Sequence, residues 1–294
     1  MRRRDLLLLG LASAAWPCVA TPKAERFERG LLWRVAKRGV RPSHVYGTIH
    51  VADARLAQLP APVRRAFDGA RSLMLEFVAD GYARERFLEA AMFLDRQTLE
   101  ATIGREDFER AVQVLQPIGL DREVVNKLKP WGVLLNLRAP QRAEEGAPLD
   151  GQLIELALAR RLPLEQIEGV EEQIFTFDEF PMESQVALLR HSLAHRDELV
   201  ALAGRTLQAY LERDLGRIWR LREQFIARHP QVAAHQAVMT KRVIHDRSVV
   251  MAFRMQRQLR RGDAFVALGA LHLYGAKGVL ALLEEDGYRA TRVF

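Results

Sequence analysis

Strand-like apolar runs are confined to the two ends of this chain, and that placement constrains its fold more than any other feature. Near the front, Leu31 to Ala36 and His44 to His50 read as strands separated by a turn around Gly39 to Pro42. Ala61 to Ala70 has helical spacing, and the compact run Ser72 to Phe77 suits a buried strand. Strand, helix, strand is the unit that sets parallel strands side by side. The alternation returns at the back with a strand over Phe265 to Leu268, a helix over Gly275 to Leu283 and a strand over Tyr288 to Phe294. Between these ends the spacing is helical. It runs from Tyr82 to about Arg138, broken at Pro117-Ile118-Gly119 and kinked at Pro130, and again from Asp150 to Arg161. A long helical stretch follows from Met182 to Arg228, with weak points at Gly204 and Gly216, and Pro230 separates it from a helix over Val232 to Arg260. One short strand, Leu164 to Glu168, interrupts the helices. The expected fold is α/β: a mixed or mostly parallel sheet core from residues 31–80 and 262–294, a shorter strand near 163–168, and a helical insertion over 81–260. Residues 21–294 form one such domain, with 139–149 as the linker candidate.

Two of the strand-like runs close on the same tetrapeptide. Gly47-Thr48-Ile49-His50 ends the second run, and Gly269-Ala270-Leu271-His272 ends the run Phe265 to Leu268. Glycine lets a backbone turn or approach closely as a strand finishes, and a histidine three residues on is then delivered to a loop mouth. Two imidazoles placed that way can bind a divalent metal or share acid–base work. In an open α/β sheet ligands bind beyond the carboxyl ends of the strands. Four expected strands end in ionisable residues there: His50, Glu76, Glu168 and His272. Parallel neighbours would bring two imidazoles and one or two carboxylates to one rim, a donor set suited to manganese, cobalt, zinc or iron. Without metal, a carboxylate could orient one histidine as a general base toward water.

Plainer readings stand beside these. Glu76 between Leu75 and Phe77 can cap a strand, and Glu168 lies in an acidic run that can begin a helix. Asp150 precedes helical spacing and serves as an N-cap. Tyr274, two residues after His272, can bond a substrate or simply pack. His191 and His195 lie one helical turn apart, a spacing metals use, but lack the glutamate of the zinc-protease motif. His229, His235 and His245 read as surface or packing residues. A phosphate-binding Walker loop, a Gly-x-Ser-x-Gly elbow and a dinucleotide fingerprint are all missing from the sequence, which argues against an NTPase, a common serine hydrolase and a dinucleotide enzyme.

The formal charge of +7 comes from scattered arginines interleaved with acids, as in Arg213 to Arg228. No concentrated basic stripe with aromatics marks a nucleic-acid surface. Met1-Arg2-Arg3-Arg4, the apolar Leu6 to Ala15 and the small-x-small Cys18-Val19-Ala20 follow the order of an export signal, so 1–20 is read as a signal peptide. Arg3-Arg4-Asp5-Leu6-Leu7 also fits a twin-arginine signal. The expected location is periplasmic or otherwise exported. Cys18, the sole cysteine, leaves with the signal, and no other run is long and apolar enough for a transmembrane helix in the mature chain.

From Leu31 to Phe294 the chain resembles the TraB/GumN family, whose relatives include the Tiki metalloproteases. The resemblance is carried by Leu32-Trp33-Arg34-Val35, Val45 to His50, Leu73-Met74-Leu75-Glu76, Leu149-Asp150, Ile167-Glu168 with Glu172-Gln173, and Phe265 to Leu273 followed by Gly287-Tyr288. It implies an α/β core with a helical insertion and, in the Tiki branch, metal-dependent peptide hydrolysis through both motif histidines and a glutamate. Those positions are His50, His272 and Glu76 here, with Gly47, Gly269, Asp150, Glu168 and Tyr274 as supporting candidates. Where the family's late helix carries Arg-Asn, this chain has Arg247-Ser248, and Arg247 is expected to contact an anion or oxyanion. The leading expectation is an exported metal-dependent hydrolase of peptides or proteins, with Glu76 as a ligand or as the base. The alternatives are a non-catalytic periplasmic binder of metal or haem, and a metal-free histidine–glutamate hydrolase. N-terminal sequencing of exported protein is expected to begin at Thr21 or a near neighbour; recovery of Met1 on cytoplasmic protein would overturn the export reading.

Overall fold

The computed structural model describes residues 25–51, 53–137 and 148–294. The signal segment and most of the linker candidate lie outside these residues. The end of that candidate, Leu149, opens a helix over Leu149–Ala159.

Six strands form one sheet: β1 (Leu32–Ala36), β2 (Ser43–Thr48), β3 (Ser72–Leu75), β4 (Leu164–Gln166), β5 (Ala264–Gly269) and β6 (Arg289–Arg292), in the order β4-β3-β5-β2-β1-β6. β4, β3, β5 and β2 are parallel, while β1 pairs antiparallel with both β2 and β6. The mixed, mostly parallel sheet therefore has the architecture read from the sequence. One expected pairing is corrected. β2 and β3 flank the Ala61–Asp68 helix but are not neighbours, because β5 from the far end of the chain lies between them. Composition explains the order. β5 is apolar throughout and Phe265, Val266, Ala267 and Leu268 are fully buried, as a strand covered on both faces must be. The edges are short and polar: Leu-Glu-Gln in β4 and Arg-Ala-Thr-Arg in β6.

The helices are shorter than their spacing suggests. Met182 to Arg228 divides into Met182–Ala194, Arg196–Leu211 and Leu215–Arg228. The breaks fall at His195 and at 212–214, and the two glycines lie within helices. Arg213 enters the left-handed region at φ 60°, and Asp214 then caps the next helix by accepting from the Arg217 N–H at 2.8 Å. Pro130 begins a helix, Pro130–Asn136, rather than kinking one, as its missing N–H allows at a first turn. The stretch Val232 to Arg260 is likewise interrupted. Ala233–Thr240 passes through a π-helical turn, Lys241–Asp246, before Arg247–Arg254 and Gln256–Arg261.

Two apolar clusters result. One surrounds the sheet and includes Tyr46, Phe67 and Phe265; the other lies within the insertion and is built on Phe108, Trp131 and Leu188. Phe265 meets Phe67 edge-on at 5.5 Å between centroids. Phe265→Ala is expected to cost about 3–5 kcal/mol, whereas Leu94→Ala, at a side chain 80% exposed, should stay within about 0.5 kcal/mol. Urea unfolding of the two variants checks the contrast.

Candidate active site

The parallel strands finish nearly level. Thr48 of β2 pairs with Gly269 of β5, and Leu75 of β3 pairs with Ala267 and with Gln166 of β4. The residues that follow, His50, Glu76, Glu168 and His272, therefore leave the sheet at one rim. His272 sits on a 3-10 turn, Ala270–His272, that continues directly from β5.

The two motif glycines have different jobs. A Cβ on Gly47 would lie 2.8 Å from Leu273 Cδ1 and 3.3 Å from Ala270, so this glycine lets the histidine-bearing turn pack onto β2. A Cβ on Gly269 would instead lie 3.5 Å from Glu76 Oε2, 3.5 Å from His272 Cδ2 and 3.8 Å from His50 Nε2. Three side chains thus converge over the bare α-carbon of Gly269.

Each histidine is held by its outer nitrogen. His50 Nδ1 lies 3.0 Å from Asp150 Oδ2, and Asp150 Oδ1 accepts from Thr48 Oγ1 at 3.1 Å. Asp150 occupies the first turn of its helix, but Pro148 holds the N-cap position, so its side chain serves the rim instead. His272 is buried, with Nδ1 2.9 Å from Ser248 Oγ. Ser248 donates its only O–H to Ile244 O at 2.7 Å, so its oxygen accepts from the imidazole. Nδ1 therefore carries the proton, and Nε2 presents its lone pair 3.9 Å from Glu76 Oε2.

Arg247 joins the two glutamates. Its guanidinium bonds Glu168 through Nε at 3.0 Å and Nη2 at 2.6 Å, and also bonds Glu76 Oε1. Gln173 donates to Glu168 Oε2 at 2.7 Å, and the Gly269 N–H donates to Glu76 Oε2 at 3.2 Å. One cation thus serves two buried carboxylates, and their environments diverge. Burial opposes ionisation of Glu76, but His272, Arg247, His50 and the Gly269 N–H overcome it and hold the carboxyl down to about 2. For Glu168 burial prevails over its bonds to Arg247, and its pKa rises. Burial also depresses His272 to about 4, against the pull of Glu76, so this ring is neutral. His50 moves the other way: its bond to Asp150 raises its pKa despite desolvation.

The structure brings together His50, Glu76, Glu168, His272, Arg247, Asp150, Gly47 and Gly269. Tyr274 is elsewhere, its hydroxyl 3.4 Å from Glu28 Oε1 and its ring against Trp219. Sequence reasoning quoted Thr48 and Gln173 within motifs but gave them no role, and it missed the bracing role of Ser248 and Tyr210, whose hydroxyl donates to Gly47 O at 2.7 Å. Thr48 could have been found inside its own motif, whereas nothing in the helical spacing marks Tyr210. Among the described residues, the three rim donors do not form a group whose ligand atoms all lie within 4.8 Å; His191, His195 and His229 do.

A family model described as the TraB/PrgY/gumN family matches residues 31–292. The chain is similar to the uncharacterized protein YbaP of Shigella flexneri and of Escherichia coli strain K12. Each is 26% identical over 252 residues, covering 84% of this chain and 89% of the relative. No solved structure matches.

The Asp150 contact yields a pH prediction. A raised histidine pKa adds stability that is full below the unfolded value of about 6.5 and is lost as pH rises through the folded value. Asp150→Asn is expected to lower the His50 pKa toward its ordinary value. The stability difference from the unaltered chain should be small for so exposed a ring and should shrink above neutral pH. Imidazole titration by NMR checks this, and an unmoved His50 would refute the pairing.

Proposed function

The chain belongs to the TraB/PrgY/gumN family, and from that premise and the geometry of the rim we propose that it is an exported metal-dependent hydrolase of peptides. One observation carries the proposal. His50 Nδ1 lies beside the Asp150 carboxylate and His272 Nδ1 bonds Ser248, and both rings converge with Glu76 over a glycine that leaves the centre open.

The donor types suit a divalent ion, and their spacing would have to close on binding it. Two imidazole nitrogens and a carboxylate, each with an outer partner, suit zinc, manganese, iron or cobalt. When bound, such an ion supplies a water of lowered pKa and polarises a carbonyl. Glu76 stays ionised, as a ligand requires. Glu168, with its raised pKa, is the carboxyl better placed to hold a proton. Arg247 keeps both carboxylates in position and is the cation nearest any negative charge that develops at the rim.

Support for a peptide substrate comes from the surroundings. A groove of about 410 Å³ starts at Phe77, directly after Glu76, and is lined by Phe87, Leu88, Trp131 and Gln173 among others. Gln173 also bonds Glu168, so the groove and the charged rim share a wall. The groove would take an apolar side chain, and at the rim His50 is open to solvent, its side chain 66% exposed. Export rests on the signal read in residues 1–20.

A specific observation favours a second reading, the metal-free hydrolase. Arg247 already neutralises Glu76, and the three donors stand too far apart to form a closed set. His50, oriented by Asp150 and open to solvent, would then be the general base.

Activity on a peptide library separates the readings. Protein purified without a histidine tag should lose turnover on chelation and regain it with manganese, cobalt or zinc. His50→Ala and His272→Ala should each lower kcat/KM by on the order of 10²–10⁴ and weaken metal binding. Glu76→Gln that loses metal marks a ligand, while retained metal without turnover marks the base. Full turnover after thorough chelation would establish the metal-free hydrolase, and metal binding with no hydrolysis of peptides or esters would overturn the enzyme.

A further inference from the structure

A second histidine cluster lies within the helical insertion, on residues other than those that form the rim. His191 is near the end of the Met182–Ala194 helix, His195 follows that helix, and His229 follows the Leu215–Arg228 helix. The break at His195, which helical spacing does not reveal, is part of what brings them together. Their ring centroids lie 4.4 Å (His191–His195), 4.6 Å (His191–His229) and 4.4 Å (His195–His229) apart. One ring nitrogen from each lies within 4.8 Å of the others.

We propose that His191, His195 and His229 form a binding site for a divalent transition-metal ion of the zinc class, with Glu198 orienting two of the rings. The inference does not depend on what happens at the rim. Glu198 reaches His195 Nδ1 at 3.2 Å through Oε1 and His229 Nε2 at 3.3 Å through Oε2. A carboxylate bonded to one nitrogen of a ring fixes the proton there and leaves the lone pair on the other, as in carboxylate–histidine–zinc arrangements.

The third ring carries the strongest sign. His191 is only 7% exposed, and its Nε2 is buried without a hydrogen-bond partner. Native proteins rarely leave such an atom unpaired, and each case calls for an unseen partner. Phe225 covers the other side, with centroids 5.8 Å from His191 and 4.6 Å from His229.

The donors select the ion. Three imidazoles with one carboxylate suit zinc, cobalt, nickel or copper, and lack the oxygen cage that calcium or magnesium requires. His195 and Glu198, with side chains 33% and 42% exposed, provide an entry path and room for a fourth ligand. A bound ion would tie together the ends of three helices.

Cobalt(II) and zinc titrations of the full chain, stripped of metal and made without a histidine tag, test the site. The unaltered chain should bind one more equivalent of cobalt than His195→Ala, with visible absorption of a nitrogen-rich low-coordinate centre, and zinc should displace it. At this site His195→Ala should weaken affinity on the order of 100-fold or more. His191→Leu, which puts an apolar group in the buried position, should abolish binding there, with circular dichroism reporting the fold of both variants. If either variant misfolds, cobalt-loaded unaltered protein should still show paramagnetically shifted imidazole N–H signals that Glu198→Gln perturbs. Equal cobalt uptake by the unaltered chain and both folded variants, or the absence of shifted signals responsive to Glu198→Gln, would overturn the proposal.

Discussion

The pairing of β5 with β2 on one side and β3 on the other is the constraint from which the sheet and the rim both follow. Residues 264–269 lie parallel between strands made from residues 43–48 and 72–75, so the sheet is incomplete until nearly the whole chain is present. The same register sets His272 beside His50 and Glu76. No pair within the first eighty residues could achieve that, since β2 and β3 are a strand apart. Such long sequence separation favours slow folding and leaves two apolar strand edges open in the interim.

Electrostatics at the rim is a problem of one guanidinium and two carboxylates. Two buried carboxylates near each other resist joint ionisation, and a single Arg247 cannot neutralise both. Glu76 gains the Gly269 N–H and nearby imidazoles and stays charged, while Glu168 has Gln173 as its further neighbour and is pushed toward protonation. The π-helical turn just before Arg247 bears on this. It carries Ile244, whose carbonyl accepts from Ser248, and Val243, whose carbonyl lies 3.3 Å from Arg247 Nη1. Irregular helical turns recur at functional sites because they aim side chains that a regular helix would not.

Much of this was legible in the sequence. Strands were visible because continuous apolar runs bounded by turn residues have few other uses, and the Gly-x-x-His repeats marked the rim. Strand order was not, since nothing in a local pattern says that Phe265 lies between His44 and Leu73. Helix breaks at His195 and Arg213 were also hidden, as both positions fit helical spacing and glycine is the weaker signal where tertiary packing supports a helix. Ser248 was visible as a departure from the family pattern, but its bond to His272 depends on a π turn that no periodicity encodes. The hidden break at His195 likewise concealed its meeting with His191 and His229.

Gly269 shows how separable folding and chemistry can be at one position. Its φ of −52° and ψ of 131° lie in a region open to any residue, so the backbone does not require glycine. An added methyl would meet Glu76, His272 and His50 at ordinary van der Waals distances. The space it would occupy is the room that those three groups share. Folding alone would accept alanine at this position, and only the need for an open centre gives even that one methyl a cost.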